Sequence, residues 1–357
     1  MVPILINATA KSSGKTLLAL GMGLRFRADG YSLGYLKPVG WIPEQIHGEM
    51  ADRDAIFMKK ALDLREPLEQ ICPVVMTQDV IQSIYEGKAQ DVAKKILETF
   101  RLVHQGKDIL IVEGGGSLFE GAFIGARGIE LAAALDARIL LVDLYRDEIA
   151  TIDSLLDAKE LVGDRLVGVV INRVRPDKIS FVRKKVFHFL KAQEIDIIGV
   201  IPEDKILGAV SVRHLAEMLS GSVICREDTP LDELVEGFMV GAMSPENALR
   251  FFQRQKNTAV IVGGDRPDIQ LAALETPVKG IILTGGFYPH DIIVARAKER
   301  GIPLILVDQD TFSVVEHFES MVERAGLREE KKIEQAKQVV EQEIDFPFLY
   351  QKMGFPS

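Results

Sequence analysis

Apolar and polar residues alternate along the chain in blocks rather than singly. Val2–Asn7 is a short apolar run, Thr9–Thr16 is small and polar, and Leu17–Phe26 has the spacing of a helix that stops near Gly30. Ser32–Val39 reads as a second strand, ending in Lys37-Pro38. Ile109–Val112, Arg138–Asp143, Leu166–Asn172 and Ile195–Ile201 are further apolar runs of strand length. Helical stretches lie among them, among others Asp52–Leu62, Ile149–Leu161 and Lys178–Lys191. Strands that are apolar throughout need cover on both faces. With helices between them, they predict a parallel α/β sheet covered by helices on both sides.

The rhythm pauses over Pro202–Arg226, where Val210–Ala216 looks like a strand running into a helix. A second, smaller α/β pattern follows: strands at Thr258–Val262, Gly280–Leu283 and Pro303–Val307, and helices at Ile269–Leu274, Ile292–Arg300 and Phe312–Ala325. This predicts three parts: a first domain over 1–205, a second over 206–327 and a charged helical tail over 328–357. The tail carries the apolar group Phe346-Pro347-Phe348-Leu349-Tyr350, which is expected to dock on a neighbour.

Composition narrows the function classes. A length of 357 residues suits two or three domains, and 47% hydrophobic with 27% charged residues is ordinary for a globular protein. A net charge of −9 disfavours a nucleic-acid surface, which needs a basic field, but leaves room for a local phosphate pocket. Two distant cysteines, Cys72 and Cys225, make neither a disulfide framework nor a thiolate zinc site. No uncharged apolar run approaches the ~18 residues of a spanning helix, and the N-terminus reads as a strand rather than a signal segment. A soluble, cytoplasmic protein without membrane contact is expected.

The sharpest chemical signal is Ala8-Thr9-Ala10-Lys11-Ser12-Ser13-Gly14-Lys15-Thr16 between a strand and a helix. A phosphate loop needs backbone N–H groups around the anion, a lysine for the outer phosphates and a hydroxyl for Mg²⁺, at the start of a helix. Lys11, Ser12, Ser13, Gly14, Lys15 and Thr16 are the candidate nucleotide residues, although Thr9 stands where the pattern has its first glycine. Lys11 reads either as a solvated loop lysine or as the extra lysine of deviant P-loops, which reaches a partner's nucleotide. Lys37, at a strand end, is a candidate catalytic cation. Asp52 and Asp54 lie at the start of a helix, where an acid either complements the dipole or holds Mg²⁺ near Thr16, and Asp54 is the candidate to join Thr16 and Glu113. Glu113 ends an apolar strand and precedes three glycines, a position for a metal-site acid. Asn172, at another strand end, is a candidate for the adenine edge, or a turn residue. In the second domain the Gly-rich strand ends Gly263-Gly264-Asp265-Arg266 and Leu283-Thr284-Gly285-Gly286 make Asp265, Arg266, Thr284, Gly285 and Gly286 candidates for a ligand crevice or an interface. Asp268 is the better placed of two acids to cap the helix that follows.

With these residues in hand, the first 205 residues resemble the dethiobiotin synthetase family, and more closely the related N-terminal domain of bacterial phosphate acetyltransferases. The resemblance is carried by Gly14-Lys15-Thr16, Tyr35-Leu36-Lys37-Pro38-Val39, Asp54, Val112-Glu113-Gly114-Gly115-Gly116 and Ile171-Asn172-Arg173-Val174. The second part resembles a DRTGG domain through Gly241-Ala242-Met243-Ser244-Pro245, Gly263–Arg266, Leu283–Gly286 and Asp310-Thr311-Phe312. The first resemblance implies that Lys15 and Thr16 hold ATP phosphates and Mg²⁺, that Asp54 and Glu113 complete the metal site, and that Lys37 supports an activated carboxyl group. The chain departs from it at Ala8, at Lys11 and at Gly40-Trp41, where small hydroxyl residues bind the family's substrate. The chain ends at Ser357 without room for an acetyltransferase catalytic domain, so it is not expected to make acetyl phosphate by itself.

Two functions are carried forward. One is a regulatory protein that binds ATP and Mg²⁺, hydrolyses slowly if at all, forms a homodimer and contacts a partner enzyme. The other is an ATP-dependent carboxylate–amine ligase of the dethiobiotin synthetase or cobyrinic acid a,c-diamide synthase type, without a glutaminase cysteine.

Overall fold

The computed structural model describes residues 3–46, 48–224, 229–323 and 326–355; Val2, His47, Cys225, Arg226 and Ala325 lie outside them. The chain divides into two compact units, one made of 1–203 with 330–357 and the other of 204–329.

The first unit is built on six strands: β1 (Ile4–Ala8), β2 (Leu33–Leu36), β3 (Ile109–Glu113), β4 (Arg138–Leu144), β5 (Leu166–Val174) and β6 (Ile197–Pro202). They pair in the order β6-β5-β4-β1-β3-β2, all parallel. Every residue of β1 and β3 is buried, the expected state of a central strand with both faces covered. The register fixes which strand ends meet. Ile6 pairs with Glu113 and Leu36 with Val112, so Lys37 follows beside Glu113. Ala8 pairs with Val142, so Thr9 follows beside Asp143.

Helices α1 (Lys15–Ala28), α2 (Arg53–Ala61), α3 (Ala89–Val103) and α4 (Glu148–Val162) belong to the first unit. An antiparallel hairpin, Pro43–Ile46 with Glu49–Asp52, leads into α2. Helix α3 lies in the stretch between Leu62 and Ile109 that periodicity left unassigned.

The second unit has strands β7 (Ser222–Ile224), β8 (Gly237–Val240), β9 (Thr258–Gly263), β10 (Gly280–Thr284) and β11 (Leu304–Leu306) in the order β7-β11-β10-β9-β8. Only β7 runs antiparallel. Helices α5 (Pro267–Leu274), α6 (Asp291–Arg300) and α7 (Thr311–Glu323) connect or follow them.

The tail corrects the sequence reading. Helices α8 (Glu330–Glu343) and α9 (Phe346–Met353) form no separate part; they return to the first unit. The apolar group docks on its own chain: Phe346 meets Phe26 edge-on at 6.0 Å, and Tyr350 lies 5.8 Å from Phe26 and 5.9 Å from Tyr31. The Tyr350 hydroxyl donates to Asp29, and Asp345 N–H donates to Ile198 O at 2.9 Å at the edge strand β6. This explains why α1 is apolar on nearly all sides, with Leu17 to Gly23 buried without interruption: one face lies on the sheet and another under α8. The contact is close. A Cβ on Gly21 would lie 2.5–2.9 Å from three side-chain carbons of Val340. Gly21→Val should therefore overpack this seam and lower the unfolding free energy by about 1–3 kcal/mol, read from urea titration of the full chain.

Candidate functional site

The loop after β1 turns sharply into α1. Gly14 has φ +100°, which a glycine adopts freely, and a Cβ there would collide with the Asn172 amide. Lys15 is nearly buried, and its Nζ donates to Gly116 O at 2.8 Å, on the loop that follows β3. Burial lowers the Lys15 pKa, against the opposing pull of Glu113 and Glu120. The Ser13 hydroxyl donates to Ala10 O at 2.7 Å within the loop, and Ser12 takes a left-handed φ of 56°.

Beside the loop lies a buried charged cluster. Thr16 Oγ1 donates to Glu113 Oε1 at 2.7 Å and the Tyr35 hydroxyl donates to Oε2 at 2.8 Å. Burial raises the Glu113 pKa, opposed first by Lys37. Burial also acts to lower the Lys37 pKa, but Glu113, Asp54 and Asp52 outweigh it and the net shift is upward. Lys37 Nζ lies 2.9 Å from Asp52 Oδ1 and 2.6 Å from Asp54 Oδ2. Asp52 is fully buried and caps α2, accepting from Asp54 N–H and Ala55 N–H at 3.1 Å each. Sequence reading weighed Asp52 only as a helix-start or metal acid and assigned Tyr35 no role; their pairing with Lys37 and Glu113 needed the strand register.

The metal candidates divide. Thr16 and Glu113 touch, whereas Asp54 is committed to Lys37. Among the described residues no group of three or more His, Cys, Asp or Glu side chains forms a metal cage. A hydroxyl and carboxylates nonetheless make an all-oxygen donor set, the kind that suits Mg²⁺ held largely by phosphates and water.

Asn172 is buried, and its amide faces the loop rather than an open pocket. Nδ2 donates to Ser13 O at 2.8 Å and Oδ1 accepts from Arg173 N–H at 2.8 Å. In this arrangement the amide braces the phosphate loop from below. Thr9, in the place of the first glycine, donates to Asp143 at the end of β4, and Ser154 donates to the same oxygen at 2.9 Å. Asp143 is fully buried, and burial raises its pKa. Neither Asp143 nor Glu120 stood out in the sequence. Lys11 pairs with Glu120 at 2.7 Å on its own chain.

In the second unit, Gly263 pairs with Thr284, which brings the two glycine-rich strand ends together. Their amides are used: Gly264 N–H donates to Thr284 O, Gly285 N–H to Gln309 O and Gly286 N–H to Val307 O, each at 2.9 Å. The Thr284 and Thr311 hydroxyls are 2.8 Å apart. Arg266 pairs with Asp268 at 3.0 Å, while Asp265 is exposed. No acid caps α5: Pro267 starts the helix, so Asp268 falls inside its first turn and Arg266 is the cap residue. Phe287, Tyr288, Ile292 and Phe312, on the segments following β10 and β11, are exposed. Among the described residues no helix is long and apolar enough to cross a membrane.

A strand, a Gly-Lys-Thr turn opening a helix and an acid ending the neighbouring strand define the first unit as a P-loop domain of the nucleotide-binding class. Residues 3–211, over half the chain, match the AAA domain family, and the chain belongs to it. Residues 214–321 match the DRTGG domain. The phosphate acetyltransferase of Pseudomonas aeruginosa is 24% identical over 377 residues, covering 98% of this chain and 52% of that protein. That of Synechocystis sp. is 24% identical over 355 residues, covering 95% and 50%. The chain thus spans about half the length of the curated relatives it matches. Similar solved structures include MinD cell division protein from Aquifex aeolicus, at 17% identity and TM-score 0.35, covering 58% of this chain and 84% of that one. The CBS and DRTGG domains of the regulatory region of Clostridium perfringens pyrophosphatase, complexed with diadenosine tetraphosphate, match at 21% identity and TM-score 0.27, covering 41% and 71%.

The buried cluster makes a stability prediction. Lys37→Met leaves Asp52 and Glu113 buried without their cation, and should cost about 3–5 kcal/mol in urea unfolding near neutral pH. The deficit should depend on pH. Below about pH 4.3, the ordinary glutamate value, Glu113 is protonated in both states and the deficit is smallest. It grows as pH rises through the raised pKa of Glu113 in the folded variant.

Proposed function

We propose that this chain is a nucleotide-responsive regulatory protein that binds ATP with Mg²⁺ at the phosphate loop and hydrolyses it slowly if at all. The observation that carries the reading is the closed triad of Lys37 with Asp52 and Asp54. A carboxylate-activating enzyme needs a cation directed at its anionic substrate. Here the candidate cation is already neutralised by two acids, at a site whose following residues are Gly40 and Trp41 rather than small hydroxyl residues.

In this reading Lys15 leaves Gly116 O for the outer phosphates, and the backbone N–H groups of the loop with the start of α1 receive the rest. Thr16 and Glu113 would hold Mg²⁺ with phosphate oxygens and water, and Asp54 would join only by giving up Lys37. The ion supplies charge neutralisation across the phosphates. Slow hydrolysis follows from Glu113: both its oxygens already accept hydrogen bonds, so it is poorly placed to take a proton from water. The DRTGG domain, with its exposed Phe287, Tyr288 and Phe312, serves association into a homodimer or contact with a partner enzyme in the cytoplasm.

A ligase reading draws on one observation, the convergence of Thr16, Lys37 and Glu113 in one buried cluster. The two readings are separated by calorimetric titration of ATP with Mg²⁺ combined with turnover assays. Binding is expected in the wild type and lost, by at least about a hundredfold, in Lys15→Ala. ATP hydrolysis is expected to stay unchanged on adding diaminopelargonate and bicarbonate. A strong rise with those additions would establish the ligase instead.

A further inference from the structure

Gly116, three residues past β3, is held through both its backbone N–H and its carbonyl. Its carbonyl accepts from Lys15 Nζ at 2.8 Å. Its N–H donates to Glu120, whose other oxygen lies 2.7 Å from Lys11 Nζ. Both lysines of the phosphate loop are therefore committed to one segment, residues 116–120. Lys11 is largely exposed, at 75%, whereas Glu120 is 18% exposed, so the carboxylate is the anchored partner and the lysine the mobile one.

We propose that Glu120 is an internal competitor for the nucleotide phosphates, a positioning residue that holds Lys11 and the 116–120 segment against the loop until phosphate displaces them. The inference deepens the nucleotide-binding reading given above and rests on it. A phosphate anion is the ligand chemistry that both lysines share. When it draws Lys15 off Gly116 O and Lys11 off Glu120, the segment loses both ties. Phe119 and Phe123, 57% and 51% exposed, lie on or next to that segment. The chain's single tryptophan is well placed to report the change. Trp41 lies 6.2 Å from Phe123, and its Nε1 is 3.6 Å from where a Gly115 Cβ would sit.

The test is calorimetry of ATP with Mg²⁺ on the full chain, with Trp41 emission followed in the same titration. Glu120→Gln should bind about two- to fivefold tighter than wild type, the scale of a partly exposed ion pair, and the gain should shrink at high salt. In a Lys11→Gln background the same substitution should gain nothing. Trp41 emission should change on nucleotide addition in the wild type and change less in Glu120→Gln, whose segment has already lost its tie to Lys11 and keeps the one to Lys15. If Glu120→Gln does not fold, Glu120→Asp, too short to reach both partners, should show the same direction. Equal or weaker binding in the folded variant, or unchanged Trp41 emission in a wild type that binds, overturns the proposal while leaving nucleotide binding intact. Binding by the variant alone would be its strongest support. Absence of heat in wild type and variants alike is the failure of the nucleotide reading itself, and the proposal falls with it.

Discussion

One buried cation organises the first unit. Lys37 sits almost out of solvent between Asp52 and Asp54 and beside Glu113. Each of these groups would be costly to bury alone; together they are tolerable because opposite charges lie in hydrogen-bond contact. The cluster also joins distant pieces of chain. Lys37 follows β2, Asp52 caps α2, Glu113 ends β3, and Thr16 ties Glu113 to the phosphate-loop helix. The strand order and register of the sheet, the start of α2 and the seat of α1 thus meet at one electrostatic arrangement. That arrangement binds Lys37 so fully that its catalytic use would require breaking two ion pairs.

Much of this was legible in the sequence for a simple reason. Strands covered on both faces are apolar throughout, so each sheet strand of the first unit showed as a run, and its end marked where a ligand-facing residue would stand. Glu113 was read as a candidate in that way, and Gly14, Lys15 and Thr16 from the motif between a strand and a helix. What periodicity could not supply was pairing. Tyr35 reads as one more apolar strand residue until the register sets it against Glu113, and Asp52 as an ordinary helix cap until Lys37 is laid beside it. Asn172 was legible as a strand-end amide, but its partner, a carbonyl 159 positions away, was not. The tail was read as a separate part from its charged, helical composition; the surface on which its apolar group docks, Phe26 and Tyr31, lies at the far end of the chain.

The unusual phosphate loop is compensated rather than degraded. A threonine at the first glycine position brings a side chain where the pattern has none. Its hydroxyl is occupied by Asp143, which is braced in turn by Ser154 from α4. On the other flank Asn172 holds Ser13 O from below, and the space that Gly14 leaves is the space its amide fills. The loop is therefore held from β4, β5 and the segment after β3 at once, by side chains that differ in chemistry. A buried aspartate whose ionised form is disfavoured by burial is kept hydrogen-bonded by two hydroxyls, which is the condition for its persistence in that position.

The helix that carries the phosphate loop has a second constraint, at its opposite face. Helix α1 lies between the sheet and α8, and Gly21 lets Val340 approach within the volume a side chain would fill. The chain leaves the first unit after β6, builds the second unit over 204–329, and returns into α8. Both connections end on structure of the nucleotide-binding unit: one at β6, the other at the helix packed on α1. Closely packed interiors shift between discrete arrangements rather than deforming smoothly. A rearrangement that moved α8 would consequently be felt at α1, whose first turn holds Lys15 and Thr16. This makes the return segment, rather than the sheet alone, part of what seats the helix that carries Lys15 and Thr16.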